Sequence, residues 1–215
     1  MTLKYQIIPV TPFAQNCSVI WCTETLLAAV IDPGGELNKV RSVLDEYSLD
    51  LDKILITHAH LDHAGGTAEL ARATGVPVIG PHTADQFWID LLPEQCAQFG
   101  FEGEIFAPDQ WLEHGDTVEL GSLTFDVIHC PGHTPGHVVF VERSQNFAAV
   151  GDVLFQGSIG RSDFPQGNQA HLVSSIRDRL FPLGDAIEFI PGHGPMSSFG
   201  HERKTNPFVA DKNYG

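Results

Sequence analysis

The sequence is poor in basic residues and in long apolar runs. Its 215 residues include 12 Lys and Arg against 27 Asp and Glu, which gives a formal net charge of −15. This charge disfavours nucleic acid and anionic membrane surfaces as partners. No apolar stretch is long enough to span a bilayer, and no basic segment leads into the apolar run of a secretory signal. We therefore expect a cytoplasmic protein that binds neither nucleic acid nor membrane.

Cysteine is also scarce. The four cysteines include no Cys-x-x-Cys pair and form no disulfide-rich framework. One of them, Cys130, is expected to be a small buried filler. The length and the 42% hydrophobic content predict one globular domain over residues 1–215, and the 21 Gly and 14 Pro predict many turns between short elements. The oligomeric state stays open.

What the chain does contain is a cluster of metal-ligating residue types. Four of them fall within six positions: His58, His60, Asp62 and His63. An apolar strand is predicted before them at residues 53–56, and a helix after them at residues 65–75. The cluster therefore follows the carboxyl end of a strand, where ligands bind in layered α/β folds.

The spacing within this cluster suits one or two divalent ions. His58 and His60 are two apart and can hold one ion from the same side, whereas Asp62 and His63 can face a second point. Imidazole and carboxylate together suit zinc, iron(II), manganese or cobalt. Taken alone, the segment is equally compatible with a chance His-x-His and with Asp62 as the N-cap of the next helix.

Three later segments supply partners of the same kind. Each follows a predicted strand or lies in a rigid Gly/Pro turn: His133, Asp152 and His193. A loop cap is an equal alternative for Asp152 on local grounds. The neighbouring His137 begins the next predicted strand and is interpreted as structural rather than as a ligand.

The remaining pattern predicts an α/β fold of two similar halves. Strands are predicted at residues 5–10, 16–22, 27–31, 76–80, 118–120, 123–129, 138–141, 147–150 and 186–190. Helices are predicted at residues 36–47, 83–92 and 170–180, and a loop at 93–109. Each half contains strands, ligand candidates at strand ends and helices. We expect two sheet-plus-helix halves packed face to face, with the metal in the cleft between their edges.

Three further features allow two interpretations each. Asp32 precedes Pro-Gly-Gly and is interpreted as a turn former rather than as support for a ligand. Arg161 either pairs with Asp163 or meets an anionic substrate group. The phenylalanines between residues 93 and 109, Phe99 among them, are expected to pin their loop rather than to line a pocket.

Taken together, the ligand candidates and their order resemble the metallo-β-lactamase superfamily. The resemblance implies a single-domain αββα sandwich with a metal site at one edge of the sheets. It also implies a first ion on His58, His60 and His133, a second on Asp62, His63 and His193, and Asp152 between them. Zinc, as one or two ions, is the expected cofactor, with iron or manganese as alternatives.

Within that superfamily, residues 57–66 are most similar to glyoxalase II, the hydroxyacylglutathione hydrolases, in their short bacterial, YcbL-like form. The resemblance implies cleavage of a thioester such as S-lactoylglutathione by metal-bound hydroxide, with Asp62 as the catalytic carboxylate, in methylglyoxal detoxification. Only 22 residues follow His193, too few for the added C-terminal helical domain of longer relatives. Asp163 stands where those relatives have Tyr.

Two other functions stay in view. One is a persulfide dioxygenase with a single iron, held by His58 and His60 together with Asp152 or His133. The other is a non-catalytic metal-binding scaffold.

Overall fold

The computed structural model describes residues 2–214. Its first sheet has five strands in sequential order: β1 (Leu3–Val10), β2 (Gln15–Cys22), β3 (Leu27–Ile31), β4 (Asp50–Leu55) and β5 (Val78–Ile79). The β1–β2 and β2–β3 pairs are antiparallel, whereas the β3–β4 and β4–β5 pairs are parallel. These parallel strands end at the edge from which residues 57–66 depart.

The second sheet has six strands in the order β13-β12-β9-β8-β7-β6. They are β6 (Thr117–Leu120), β7 (Leu123–His129), β8 (Val138–Glu142), β9 (Phe147–Gly151), β12 (Glu188–Pro191) and β13 (Ser197–Ser198). Only the β9–β12 pair among them is parallel within residues 2–214. A small hairpin joins β10 (Leu154–Phe155) to β11 (Ser158–Ile159).

Seven α-helices accompany the sheets in the described chain: α1 (Leu37–Glu46), α2 (Leu61–Ala64), α3 (Thr67–Thr74), α4 (Gln86–Asp90), α5 (Leu92–Gln98), α6 (Gln169–Ser174) and α7 (Phe199–Thr205). Helix α6 continues as a π-helical turn over Ser175–Leu180. Within residues 2–214, no helix has the length and hydropathy needed to cross a membrane.

The core lies in three layers, and strand β2 shows why. All eight of its residues are buried. Val19 packs with Val40 and Leu70 on the helix side, whereas the next residue, Ile20, packs with Phe140 of the opposite sheet. A third apolar cluster joins the outer face of the second sheet to α6. Because successive strand side chains face opposite ways, both faces of each sheet are covered, which confirms the predicted αββα sandwich.

One prediction of local structure was wrong. Residues 93–109 do not form one loop, because α5 occupies Leu92–Gln98. Pro93 stands in its first turn, where a proline is well tolerated, and the burial of Cys96 stabilises a helix that has no clear apolar period. The helical conformation predicted at residues 83–92 is confirmed, as a 3₁₀ turn (Thr83–Asp85) followed by α4 and the start of α5. All four cysteines are buried and free, and Cys130 is the expected filler.

Candidate metal centre

The ligand candidates meet where the two sheets share one edge. The Asn16 N–H donates to the Gly192 carbonyl at 2.7 Å, and Gln15 pairs with His193 through an isolated β-bridge. These backbone contacts tie the start of β2 to the loop after β12. The edge therefore collects the turns that follow β4, β7, β9 and β12, and each of those turns carries a predicted ligand.

Three imidazoles form the first group of ligand atoms. The group consists of His58, His60 and His133, whose ligand atoms all lie within 4.8 Å of one another. Burial lowers the pKa of His58 and His60 well below the ordinary value, so both rings are neutral and carry a free lone pair. His133 Nδ1–H donates to the Arg161 carbonyl at 2.7 Å, so its Nε2 faces the centre of the group, where it lies 2.9 Å from His60 Nδ1.

A carboxylate and two imidazoles form the second group: Asp62, His63 and His193. Asp62 Oδ2 lies 3.1 Å from His193 Nε2. The outer nitrogens of both rings are anchored, since His63 Nδ1–H donates to Asp32 at 2.9 Å and His193 Nδ1–H donates to the Phe13 carbonyl at 3.1 Å. Both rings therefore present Nε2 to the same point.

Asp152 lies between the two groups. Its Oδ1 is 3.3 Å from His63 Nε2, and its Oδ2 is 3.6 Å from His133 Nε2. Burial opposes ionisation of Asp152, but the adjacent imidazoles of His63, His133 and His193 hold its pKa below the usual range. Gly192 is needed beside it, because a Cβ there would lie 2.0 Å from Asp152 Oδ1.

The unpaired polar atoms at this edge fit divalent cations. Three of them are buried without a hydrogen-bond partner: His58 Nε2, His63 Nε2 and Asp152 Oδ1. A buried acceptor without a partner is costly, and a cluster of three is explained when cations occupy the points they face. Neutral imidazole with carboxylate is a donor set for zinc, iron or manganese. All seven predicted residues converge here.

Asp32 corrects one prediction. It does not merely form a turn, because its buried carboxylate accepts the Thr57 N–H at 2.7 Å, the Thr57 hydroxyl at 2.6 Å and His63 Nδ1–H at 2.9 Å. Its atoms also lie close to His58, but the bond to His63 makes it a support of that ring. Parallel pairing of β3 with β4 brings Asp32 beside Thr57, and the Asp-Pro-Gly pattern carries no sign of that pairing.

Asp85 is a second support, which sequence reasoning missed. It is fully buried and accepts three hydrogen bonds: from the Ala59 N–H at 3.1 Å, the Thr134 hydroxyl at 2.9 Å and the Gly136 N–H at 2.6 Å. Ala59 separates His58 from His60, and Thr134 follows His133. One carboxylate therefore holds together the two segments that carry the first group.

His137 has the structural role expected of it. It is fully buried, and its Nε2 accepts the Asp152 N–H at 3.0 Å. Its ring stacks on His58, with centroids 4.6 Å apart and planes inclined by 18°. His137 therefore orients one residue from each side of the centre without presenting a nitrogen to it.

A chamber of about 750 Å³ opens over both groups. Arg161 lines it, but both its Nε and Nη2 donate to Asp163, at 3.0 and 2.9 Å, so the predicted ion pair forms. The Arg161 side chain stays 68% exposed and covers the Phe164 ring. Phe99 also lines the chamber, contrary to the expectation that it only pins a loop, because α5 directs it towards Phe13.

Known proteins share this architecture along nearly the whole chain. A model of the metallo-beta-lactamase superfamily matches residues 10–197. Hydroxyacylglutathione hydrolase GloC of Haemophilus influenzae is 45% identical over 212 residues, which cover 98% of this chain and 100% of that protein.

Two solved structures extend the comparison. The B3 metallo-beta-lactamase BLEG-1 superposes with a TM-score of 0.88 at 32% identity, covering 96% of this chain and 99% of its own. TTHA1623, in a di-iron-bound form, has a TM-score of 0.86 at 34% identity and covers 95% of this chain and 100% of its own. With two sheets that meet at a histidine- and carboxylate-rich edge, the chain belongs to the metallo-β-lactamase superfamily.

Proposed function

We propose that the protein is a metal-dependent hydrolase of a glutathione thioester such as S-lactoylglutathione. The observation that carries this proposal is two groups of ligand atoms, with Asp152 between them, beneath a chamber that opens to solvent. A structural metal site would be closed by protein ligands, whereas a hydrolytic site needs room for water and substrate. The 45% identity to a hydroxyacylglutathione hydrolase, over both full lengths, supports the choice of substrate.

In this proposal the residues divide into two ion sites. His58, His60 and His133 would hold the first ion, Asp62, His63 and His193 would hold the second, and Asp152 would serve as a ligand between them. Zinc fits this donor set, as do iron and manganese, and a di-iron form of a relative supports iron. When bound, a divalent ion lowers the pKa of a coordinated water and polarises a carbonyl oxygen.

The chain itself orients the reactants. Water adds to the thioester carbon, the C–S bond breaks, and the products are a 2-hydroxy acid and the glutathione thiol. Asp62 is half-buried at the chamber floor and is positioned to accept a proton from the attacking water through its carboxylate. Arg161 at the rim is the cation that a glutathione carboxylate can engage once it leaves Asp163.

The alternative functions are less well supported. A persulfide dioxygenase would use only the first ion site, whereas the second group is also assembled and its His63 and His193 are anchored by hydrogen bonds. The 45% identity to a hydroxyacylglutathione hydrolase also favours hydrolysis. A non-catalytic scaffold would leave the chamber without a role.

The test is turnover by protein reconstituted separately with zinc and with iron. Loss of thioester absorbance from S-lactoylglutathione is recorded while an oxygen electrode follows the same sample. We expect hydrolysis without oxygen uptake, abolished by His58→Ala and retained by the control His171→Ala, an exposed histidine on α6. Oxygen consumption with glutathione persulfide, or hydrolysis of a β-lactam but of no thioester, would reject the proposal.

A further inference from the structure

Aromatic side chains form the walls of the chamber above the ligand groups. Five of them face it: Phe13, Trp88, Phe99, Phe155 and Phe164. The side chains of one wall lie close to the first group. The Phe164 ring centroid is 4.8 Å from that of His60 and 5.6 Å from that of His133, and the Trp88 centroid is 4.6 Å from that of His60.

This wall is held in place by the core. Trp88 is buried and packs in the helix-side cluster, and Phe164 packs against that cluster from the loop after β11. The two rings meet edge to face, with centroids 6.4 Å apart. A substrate carbonyl that reaches the first group therefore lies beside the apolar surface of Trp88 and Phe164, whose rings adjoin that of His60.

Aromatic side chains also line the rest of the chamber and its mouth. The Phe155 centroid lies 6.3 Å from that of His193, and Phe13 meets Phe99 edge to face at 5.3 Å. Phe13 is 40% and Phe99 is 56% exposed, so the mouth offers apolar surface to a ligand. A ligand ring that contacts these side chains gains aromatic pair interactions beyond the apolar area it buries, and a methyl group does not.

We propose that this chamber selects thioesters whose acyl group carries an aromatic ring on the carbon next to the carbonyl, in preference to the methyl that a lactoyl group carries there. The inference rests on the proposed thioester hydrolysis and names its substrate class. In a chamber of about 750 Å³, a phenyl group offers the Phe164 and Trp88 rings beside the first group a larger apolar contact than the lactoyl methyl does. Burying the additional apolar surface of a phenyl group corresponds to about tenfold or more in kcat/KM.

The experiment compares S-mandeloylglutathione with S-lactoylglutathione, which differ only by phenyl in place of methyl. With the metal-loaded full chain, we expect a mandeloyl-to-lactoyl ratio of kcat/KM of about ten or more. Phe164→Leu should bring that ratio towards one mainly by slowing mandeloyl turnover. The matched control Phe208→Leu, an exposed phenylalanine that does not line the chamber, should leave the ratio unchanged.

A binding measurement separates this inference from the proposed function. S-benzylglutathione and S-methylglutathione contain no cleavable thioester, and their binding to the metal-loaded chain is measured by calorimetry. If neither thioester is hydrolysed but the benzyl compound binds about tenfold tighter, the aromatic selectivity stands and the hydrolase proposal fails. Equal binding of the two compounds, equal turnover of the two thioesters, or a mandeloyl preference that Phe164→Leu does not reduce would overturn the inference.

Discussion

Replacing Asp85 with alanine should weaken the first metal group from a distance. Asp85 contacts no predicted ligand atom, yet it joins Ala59 to Thr134 and Gly136. Asp85→Ala leaves three buried donors without their acceptor, and each such donor costs about 1–3 kcal/mol. Part of that cost is offset because folding of the variant no longer has to remove the Asp85 carboxylate from water. We expect a net loss of about 3 kcal/mol in the free energy of unfolding.

Two measurements follow from this magnitude. In a domain of this size about 3 kcal/mol lowers Tm by roughly 6–12 °C. Because the segments carrying His58, His60 and His133 lose their common support, the affinity for the first ion should fall about 10- to 100-fold, as for other residues that orient ligands. Thermal unfolding of the metal-free chain measures the first effect, and competition with a chelating dye measures the second.

The control for this variant lies on the same segment. Asp90→Ala removes an exposed carboxylate at the end of α4 that accepts one hydrogen bond from Gln86. It should change Tm and metal affinity little. If Asp85→Ala kept the Tm and the metal affinity of the Asp90→Ala variant, the reasoning about Asp85 would be refuted.

Three other predictions can be checked with the same methods. Burial raises the pKa of Asp85 to about 7. An unfolded Asp titrates near 3.9, so the folded state binds a proton that the unfolded chain has released between about pH 4 and 7. Wild-type stability relative to Asp85→Asn should therefore fall as pH rises through this window, and a constant difference in metal-free thermal unfolding would contradict it. Gly160→Ala places a Cβ 1.9 Å from the Asp152 carbonyl oxygen, so this variant should lower Tm and the affinity for the first ion. The control Gly35→Ala should lower neither, because its Cβ comes no closer than 3.4 Å to a neighbour. Asp163→Asn removes the charge that holds Arg161 and should lower KM for a glutathione thioester with little change in kcat. The decrease in KM should be only about two- to threefold, because an exposed ion pair is weak. An unchanged KM would leave Arg161 without a role in binding.

Much of the centre could be predicted because its chemistry is local in the sequence. His58, His60, Asp62 and His63 occupy one turn after β4, and each remaining ligand candidate sits in a short turn beside a strand of the second sheet. Strand ends are recognisable from apolar runs that stop at Gly or Pro, and ligand residue types are rare enough to stand out there. The enrichment of Val, Ile and Trp in the first apolar runs likewise indicated strands.

The supports of those ligands could not be predicted in the same way. Asp85 reaches Ala59, Thr134 and Gly136 across 26, 49 and 51 residues of sequence. In the sequence around it, an aspartate that is buried by distant donors looks the same as an exposed one, so Asp85 gave no signal. Asp32 stands before Pro-Gly-Gly, and that pattern indicated a turn instead. Helix α5 was missed for a related reason. Its conformation depends on the burial of Leu92 and Cys96 more than on the intrinsic helix propensity of its residues.

The sequence by itself determined the superfamily and the two-sheet architecture, and it singled out the seven proposed metal ligands that the structure brings together at one edge. These features depend on residue types at short spacings beside apolar strand runs, which a single chain displays directly. Only the tertiary structure decided that Asp32, Asp85 and His137 orient the centre and that aromatic rings enclose the chamber. Those roles depend on hydrogen bonds and ring contacts between distant segments, which exist only once the sheets have packed against each other.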